Sequence, residues 1–560
     1  MHRLLSPSRI LSGLLVHKGR KRYETKQKDE CHPRIVGCHR LAGSVIAGST
    51  YALFTSESKT NIAITAGKVD VTATISDLKT YSGKSGTLTG DPETDAENIA
   101  LTDTQGVFNN GGTASIEGNA LTLDKVTPGD KVTFKITVKN SSNVVVKYRT
   151  RISLAKDTGL YDGLDIKIGD YEGETVTSWV NLSVDSAATE LSCEVSLPSD
   201  KGNAYQGTSC SLNFIVEAVQ SNAIKDYVTI AGIADVEGKK YYTAEEAYSE
   251  IKAKLEEKCG LGEQPMSASD FNAFFTDGGK ITWNIHGYQK VVDTKMFSFG
   301  RAANRFGDNL NITEINIAGV GDDAELDLSG VGGTFAVPYN WWAGTTPNTA
   351  LKCSNVTFNG IKSMPGSAYQ NTNVDCVFEF DRCTFNGNLY SYQNYKAKIT
   401  IKNSTFNSIS KTQYAFVSQG ASGTITLDGN TFNNYTRGIN LQRPEAEFIV
   451  TNNKIISTQS EHDRQAIQLT DGKSFVVNNN TIDVNAGNAF AFHSAATNSD
   501  VTYEIKNNNI SAPYIGYYAT SFDVNPKITS SGNIFNGTDT TMCMKKDANA
   551  PEATNLTAIK

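Results

Sequence analysis

The C-terminal half of the chain repeats one short pattern eight times, and this restricts the fold more than any other feature. Each copy is a polar turn, then Asn or a small residue, a polar residue, and Phe or Ile. It reads NVTFNG around Phe358, RCTFNG around Phe385, NSTFNS around Phe406 and GNTFNN around Phe432. It continues as NNKIIS around Ile455, NNTIDV around Ile482, NNNISA around Ile510 and GNIFNG around Phe535. These apolar anchors stand 21 to 28 residues apart, about 25 on average. A β-rich repeat of that length builds a solenoid, in which each unit buries its apolar face against the next.

Within a unit the apolar positions alternate with polar ones, the period of a half-buried strand. TITLD precedes the anchor of one coil and GINLQ follows it. KITIK, EFIVT, SFVVN and TYEIK are equivalent to the first, and QAIQL, AFAFH and YIGYY to the second. Three short strands per coil predict a right-handed parallel β-helix. Two positions before the anchor stand Asn430, Asn453, Asn480, Asn508 and Asn533, preceded by Val356, Cys383 and Ser404. Asn tolerates the left-handed backbone of a sharp bend, and stacked amides can bond from coil to coil, so this column predicts an Asn ladder. On the repeat and the ladder, residues 285–545 resemble the pectate-lyase-like β-helix superfamily. That resemblance implies a fold and no single activity, because lyases, hydrolases, tailspikes and adhesins share it.

Upstream, residues 1–52 read as a leader: basic residues from Lys18 to Arg40, then LAGSVIAGSTYA, with cleavage expected between Ala52 and Leu53. Cys38, His39 and Arg40 stand where an apolar core belongs, so the stretch before Ser44 is expected not to be the native start. GSTYALFTSESKTNIAITAGKVDV, through Tyr51, Phe54, Thr55, Ala66, Gly67 and Val69, resembles the start of camelysin and TasA-like proteins of Gram-positive bacteria. The resemblance implies a SipW-type signal peptide, export and a β-sandwich. Within a sandwich expected over 53–220, residues 60–218 independently read as antiparallel β. KVTFKITVKN and VVVKYRTRISL, joined by the polar turn at 141–143, predict a hairpin, and SLNFIVEAV predicts a closing strand. The segment after Leu53 is expected to pair within its own domain, and exchange with a neighbour would make the chain a fibre protomer.

Residues 221–284 form the junction. TAEEAYSEIKAKLEEKCG predicts a helix at 243–260, with a Thr243/Glu246 capping box and an Ala247, Ile251, Leu255 stripe. A second helix is expected at 267–276, and together they would cover the open end of the solenoid. Residues 546–560 are a tail.

Net charge is −7, but the first 40 residues carry +7, which leaves −14 on the body. An acidic body without basic stripes argues against nucleic acid as a partner. No run of 18 apolar residues is present, so no membrane span is expected after leader removal. Nine cysteines are present. Cys193 and Cys210 flank a Gly/Ser-rich loop and predict a disulfide in an exported protein. Cys353 and Cys383 fall at apolar register positions and predict buried free thiols. There is no CxxC or HExxH, so no metal or other cofactor is expected; the resemblance to β-helix enzymes leaves room for Ca²⁺ alone, with no ligand set in the sequence to hold it.

In the GINLQ row the outward positions are expected to be Asn440, Gln468, Ala491 and Gly516, none of them titratable. The catalytic candidates beside that row are Asp463, Arg464 and Arg437, and Arg443 and Asp471 are expected to form a surface ion pair. Trp341, Trp342, Tyr390, Tyr392, Tyr395 and Tyr414 are the candidates for stacking on sugar faces, with Tyr339 and Tyr435 nearby. The expectation is an all-β chain: a sandwich, a short helical cap and a β-helix of about ten coils, roughly 50 Å long. As an exported surface or matrix protein it would bind a polysaccharide or a surface protein. The alternatives are a polysaccharide lyase or glycoside hydrolase, and a fibre that assembles through the sandwich.

Overall fold

The computed structural model describes residues 55–58, 69–83, 101–173, 175–205, 207–259, 267–297, 312–335, 350–364, 375–391, 396–408, 414–419, 422–443, 445–458, 465–492, 501–518, 527–540 and 558–559. The expected leader, with the cleavage site expected at Ala52 and Leu53, lies outside them. The described chain is nearly all β, as the patterning implies, with an antiparallel N-terminal part and a parallel solenoid after it.

Two six-stranded antiparallel sheets form the sandwich. Lys131–Asn140 buries Val132, Phe134, Ile136 and Val138 and pairs with Val71–Gly83 and Thr189–Ser196. The next strand, Val146–Asp157, pairs instead with Ser209–Gln220 in the other sheet. The expected hairpin is therefore an arch that crosses between sheets. Buried Asn140 makes the corner: its Nδ2 donates to Val144 O at 3.0 Å and Leu182 O at 3.1 Å, and its Oδ1 accepts from Ser142 N. Both strands can then turn their apolar faces into one core. Thr55–Ser58 pairs antiparallel with Val216–Val219 of its own domain, as expected.

The disulfide expected between Cys193 and Cys210 is not formed. The two residues lie on strands of opposite sheets, and both are buried free thiols within the apolar core. Burial raises each thiol to about 12, which suppresses the thiolate that oxidation needs. Cys353 and Cys383 are likewise free and buried, as their register implies.

The helix Ala244–Cys259 starts on the expected capping box. Thr243 Oγ1 accepts from Glu246 N at 3.1 Å, and Glu246 Oε2 accepts from Thr243 N at 3.3 Å. Ala247, Ile251 and Leu255 are fully buried in the solenoid core. The cap also has a strand. Tyr227–Ala231 pairs antiparallel with the first coil strand, Lys280–His286, and covers its edge.

From Lys280 to Ser531, ten strands stack in parallel register, one per coil. Phe358, Phe385, Phe406 and Phe432 stack inside, with centroids 5.6, 4.5 and 4.7 Å apart in succession. Phe448, Phe475 and Tyr503 stack at 5.0 and 5.2 Å. The Asn ladder forms along the bend before the anchors. Asn453 N and Nδ2 both donate to Asn480 Oδ1, at 2.9 and 3.0 Å, while Asn453 Nδ2 also donates to Leu427 O. The same bonds join Asn430 to Asn453, Asn480 to Asn508 and Asn508 to Asn533. One detail differs from expectation. The left-handed residue is the one before each ladder position: Asn355, Arg382, Asn403, Gly429, Asn452, Asn479, Asn507 and Gly532 all have positive φ. That neighbour makes the bend, which points the next side chain inward.

Asn480→Ala should strand two buried donors of Asn453 and lower solenoid stability by about 3 kcal/mol or more in urea unfolding. Alkylation after unfolding without reductant should label both Cys193 and Cys210 in peptide mass spectra; their appearance as a linked peptide would contradict the free thiols.

Candidate functional site

The anchor strands carry a second amide row on their outer face. The residue after each Phe is Asn359, Asn386, Asn407 and Asn433 in successive coils, held in register by parallel pairing. Each donates its Nδ2 to the Oδ1 of the previous coil: Asn386 to Asn359 at 2.7 Å, Asn407 to Asn386 at 2.9 Å and Asn433 to Asn407 at 3.0 Å. Asn359 Nδ2 ends the row on Glu325 Oε2 at 3.2 Å. A primary amide has two donors and two lone pairs, so each rung keeps hydrogen-bonding capacity for a ligand. The row was readable as the Asn in TFNG, TFNG, TFNS and TFNN, one residue beyond each anchor.

This row floors a cleft of about 590 Å³ between solenoid and sandwich, with Arg151, Ser153, Tyr161, Tyr288, Glu325 and Asp327 among its walls. A charge network centred on Glu217 runs along the sandwich face beside it, and Arg151 and Lys225 carry it to the solenoid. Arg149 Nε donates to Glu217 Oε2 at 2.7 Å and its Nη1 to Asp226 Oδ2 at 2.6 Å. Lys225 Nζ lies 3.2 Å from Glu217 and 3.5 Å from Asp323. Arg151 pairs with Glu325 of the solenoid. Asp226 Oδ1 accepts from Tyr288 N at 2.9 Å, against Gly287, where a Cβ would meet that oxygen at 2.2 Å.

Burial alone would raise the Glu217 carboxyl, but Lys225, Arg149 and Arg151 outweigh it and hold it at about 2. Glu325 goes the other way: burial raises it, and Arg151 only partly opposes that. Its oxygens are engaged by Arg151 and Asn359. Asp327 accepts from Tyr288 Oη at 2.7 Å and from Ser329 N at 2.9 Å. Burial, with Asp327 next, raises Tyr161 to about 12. Both phenols are therefore neutral donors at ordinary pH.

Of the earlier candidates, Asp463, Arg464, Trp341, Trp342, Tyr392 and Tyr395 lie outside the described residues. Arg437 stands 5.3 Å over the Tyr414 ring. Tyr414 Oη donates to Gln468 Oε1 at 2.6 Å, and Tyr390 Oη accepts from Tyr414 N at 3.2 Å. These residues lie on the GINLQ wall, not in the cleft. The positions expected to face outward there are covered: Asn440, Gln468 and Ala491 are buried, with Gln465 and Thr470 in one hydrogen-bonded network. Arg443 is no surface residue either. It is fully buried and donates to Ser391 Oγ at 2.8 Å. Tyr435 is buried and donates to Gly387 O. Among the described residues no group of three or more His, Cys, Asp or Glu is placed to hold a metal ion. Among them, too, no helix is long and apolar enough to cross a membrane.

The chain matches the family described as the right handed beta helix region over residues 343–510 and 389–555. The solenoid is thus a right-handed parallel β-helix. No curated protein matches the chain. Among solved structures it is similar to two variants of the catalytic domain of a GH87 alpha-1,3-glucanase in complex with tetrasaccharides. One is 10% identical with a TM-score of 0.18, and covers 71% of this chain and 84% of that one. The other has the same identity and score, with 74% and 92% covered. A likeness at that score bears on neither activity nor substrate.

Because Glu217 is held down in the folded state, its stabilisation is complete above the ordinary carboxylate range. It is lost as pH falls from about 4.5 towards about 2. Glu325 has the opposite sign and contributes less as pH rises through its elevated value. Glu217→Gln should therefore cost about 3 kcal/mol or more, since it leaves three cations facing a neutral group. Glu325→Gln should cost clearly less; equal losses in thermal unfolding would contradict this account.

Proposed function

We propose that the chain is an exported surface or matrix protein whose β-helix is a non-catalytic binding rod, and that the cleft under the sandwich takes a polysaccharide. The carrying observation is the outer Asn row. It lines about 590 Å³ of open cleft with amides repeating at the coil spacing of about 4.8 Å. Amides beside tyrosine hydroxyls match the alternating donors and acceptors of a neutral glycan. Export rests on the leader-like first 52 residues and on the camelysin/TasA-like start of the sandwich. The sandwich would then be the part that anchors or assembles, and the solenoid the part that binds. A surface protein is the other class of ligand that such a rod can take.

The second reading is a glycoside hydrolase. Glu325 and Asp327 are two residues apart on one strand, and Glu325 is raised as a general acid would be. The engagement of both carboxylates by Arg151, Asn359, Tyr288 and Ser329 favours a positioning role.

One assay separates the readings: incubation with insoluble plant, host and bacterial polysaccharides in the presence of Ca²⁺, recording protein retained and sugar released. Retention without release is expected, and the double variant Asn386→Ala/Asn407→Ala should lose it about tenfold or more while keeping its unfolding midpoint. Release abolished by Glu325→Gln or Asp463→Ala would make the protein an enzyme. Retention that the double variant leaves unchanged, but that Trp341→Ala/Trp342→Ala removes, would move the glycan site to those aromatics.

A further inference from the structure

A second cavity, of about 510 Å³, lies on the other side of Tyr288 and Asp327, which line both. Its chemistry differs from that of the amide cleft. Ile224, Tyr242 and Val292 line it and are 40%, 61% and 46% exposed. They are three of the eight large hydrophobic side chains exposed among the described residues, and they meet at this cavity. The wall beside them is cationic. Lys147 Nζ stands 5.6 Å over the Trp179 ring and pairs with no carboxylate among the described residues. Lys290 adds a second ammonium to the lining.

The acidic groups nearby are mostly committed. Asp226 is held by Arg149, the Trp179 Nε1 at 3.2 Å and Tyr288 N, and Asp327 by Tyr288 and Ser329. Glu245, in the first turn of the capping helix, is the further carboxylate in the lining. Burial, opposed by Asp226 and reinforced by Arg149, lowers the Lys147 ammonium below its ordinary value. An anion brought to it would offset that lowering.

We propose that this cavity docks an acidic peptide segment of another protein, with a hydrophobic side chain entering beside Tyr242, Ile224 and Val292 and a flanking carboxylate meeting Lys147. The pocket has room for one large side chain, and an anchor of that kind supplies most of the binding energy at an interface. Carboxylate complementarity sets the direction of the peptide and its salt dependence. A neutral sugar would leave the apolar mouth unmatched and bring no carboxylate to Lys147.

The test is fluorescence anisotropy of the full chain with a dye-labelled Glu-Glu-Phe-Glu-Glu peptide. The controls are Lys-Lys-Phe-Lys-Lys and Glu-Glu-Gly-Glu-Glu. The first peptide should bind at least about tenfold more tightly than either control, and more weakly as ionic strength rises. Lys147→Glu and Tyr242→Ala should each weaken it by a similar factor. The Tyr242 variant keeps the backbone N–H that serves the helix cap, so its folding is not in question. The Asn386→Ala/Asn407→Ala variant should bind the peptide normally, whatever becomes of glycan retention. Absence of binding, equal binding of the basic peptide, or insensitivity to both variants overturns the proposal. So does competition by a soluble glycan that the amide row retains.

Discussion

The solenoid depends on one requirement: equivalent groups must superpose at the strand spacing of about 4.8 Å, coil after coil. A buried side chain that cannot bond to its own copy above and below would be stranded in the wall. Asn meets the requirement, because one amide both donates to and accepts from its neighbours. Asn453 shows how: it reaches Asn480 on one side and Asn430 on the other, and anchors on the Leu427 carbonyl. Where the amides stop, the column continues as Ser404 and then as Cys383 and Val356, which fill the same space with less or no hydrogen bonding. Phe and Ile in the adjacent row stack for the same reason, since identical rings at this spacing lie in van der Waals contact.

The outer Asn row follows from that stacking. Once the anchors are in register, so are the residues after them, and four Asn side chains form a bonded column on the surface. Inside, such a column is structural because all its capacity is consumed. Outside, it is a ruled surface with bonding capacity left over. The sandwich turns this surface into a cleft. Glu217 gathers Arg149, Arg151 and Lys225 at the sandwich face, Arg151 reaches on to Glu325 and Lys225 to Asp323 of the solenoid, and a cavity lies on either side of Tyr288. The same buried charges that join the domains therefore divide the space between them into an amide-lined part and an apolar, cationic part.

The repeat, the inner ladder, the strand-rich first domain and the capping helix were all legible in the amino-acid order. Each is local or strictly periodic: alternation sets a strand's faces, a Thr–Glu pair three residues apart sets a helix start, and a 25-residue period sets the coils. The bend was misplaced by one residue, because the Asn pairs at 452–453, 479–480 and 507–508, before the Ile anchors, hide which Asn is left-handed. Position alone could not say that one residue turns the chain and the next points inward.

What the tertiary structure decided is non-local. Val146–Asp157 joins the sheet opposite its predecessor because two apolar faces meet better across a core than side by side, and a short polar turn permits both paths. Cys193 and Cys210, near in sequence, are separated by the same division into sheets. Arg151 and Glu325 are 174 residues apart, and nothing in the spacing of either marks the other as its partner. The amino-acid sequence by itself determined a coil, its core and its ladder, because periodic burial is written residue by residue. The cleft, its floor of amides and its neighbouring pocket arose only where the sandwich packs against the solenoid, because charge pairing and surface shape act across distances that no sequence period records.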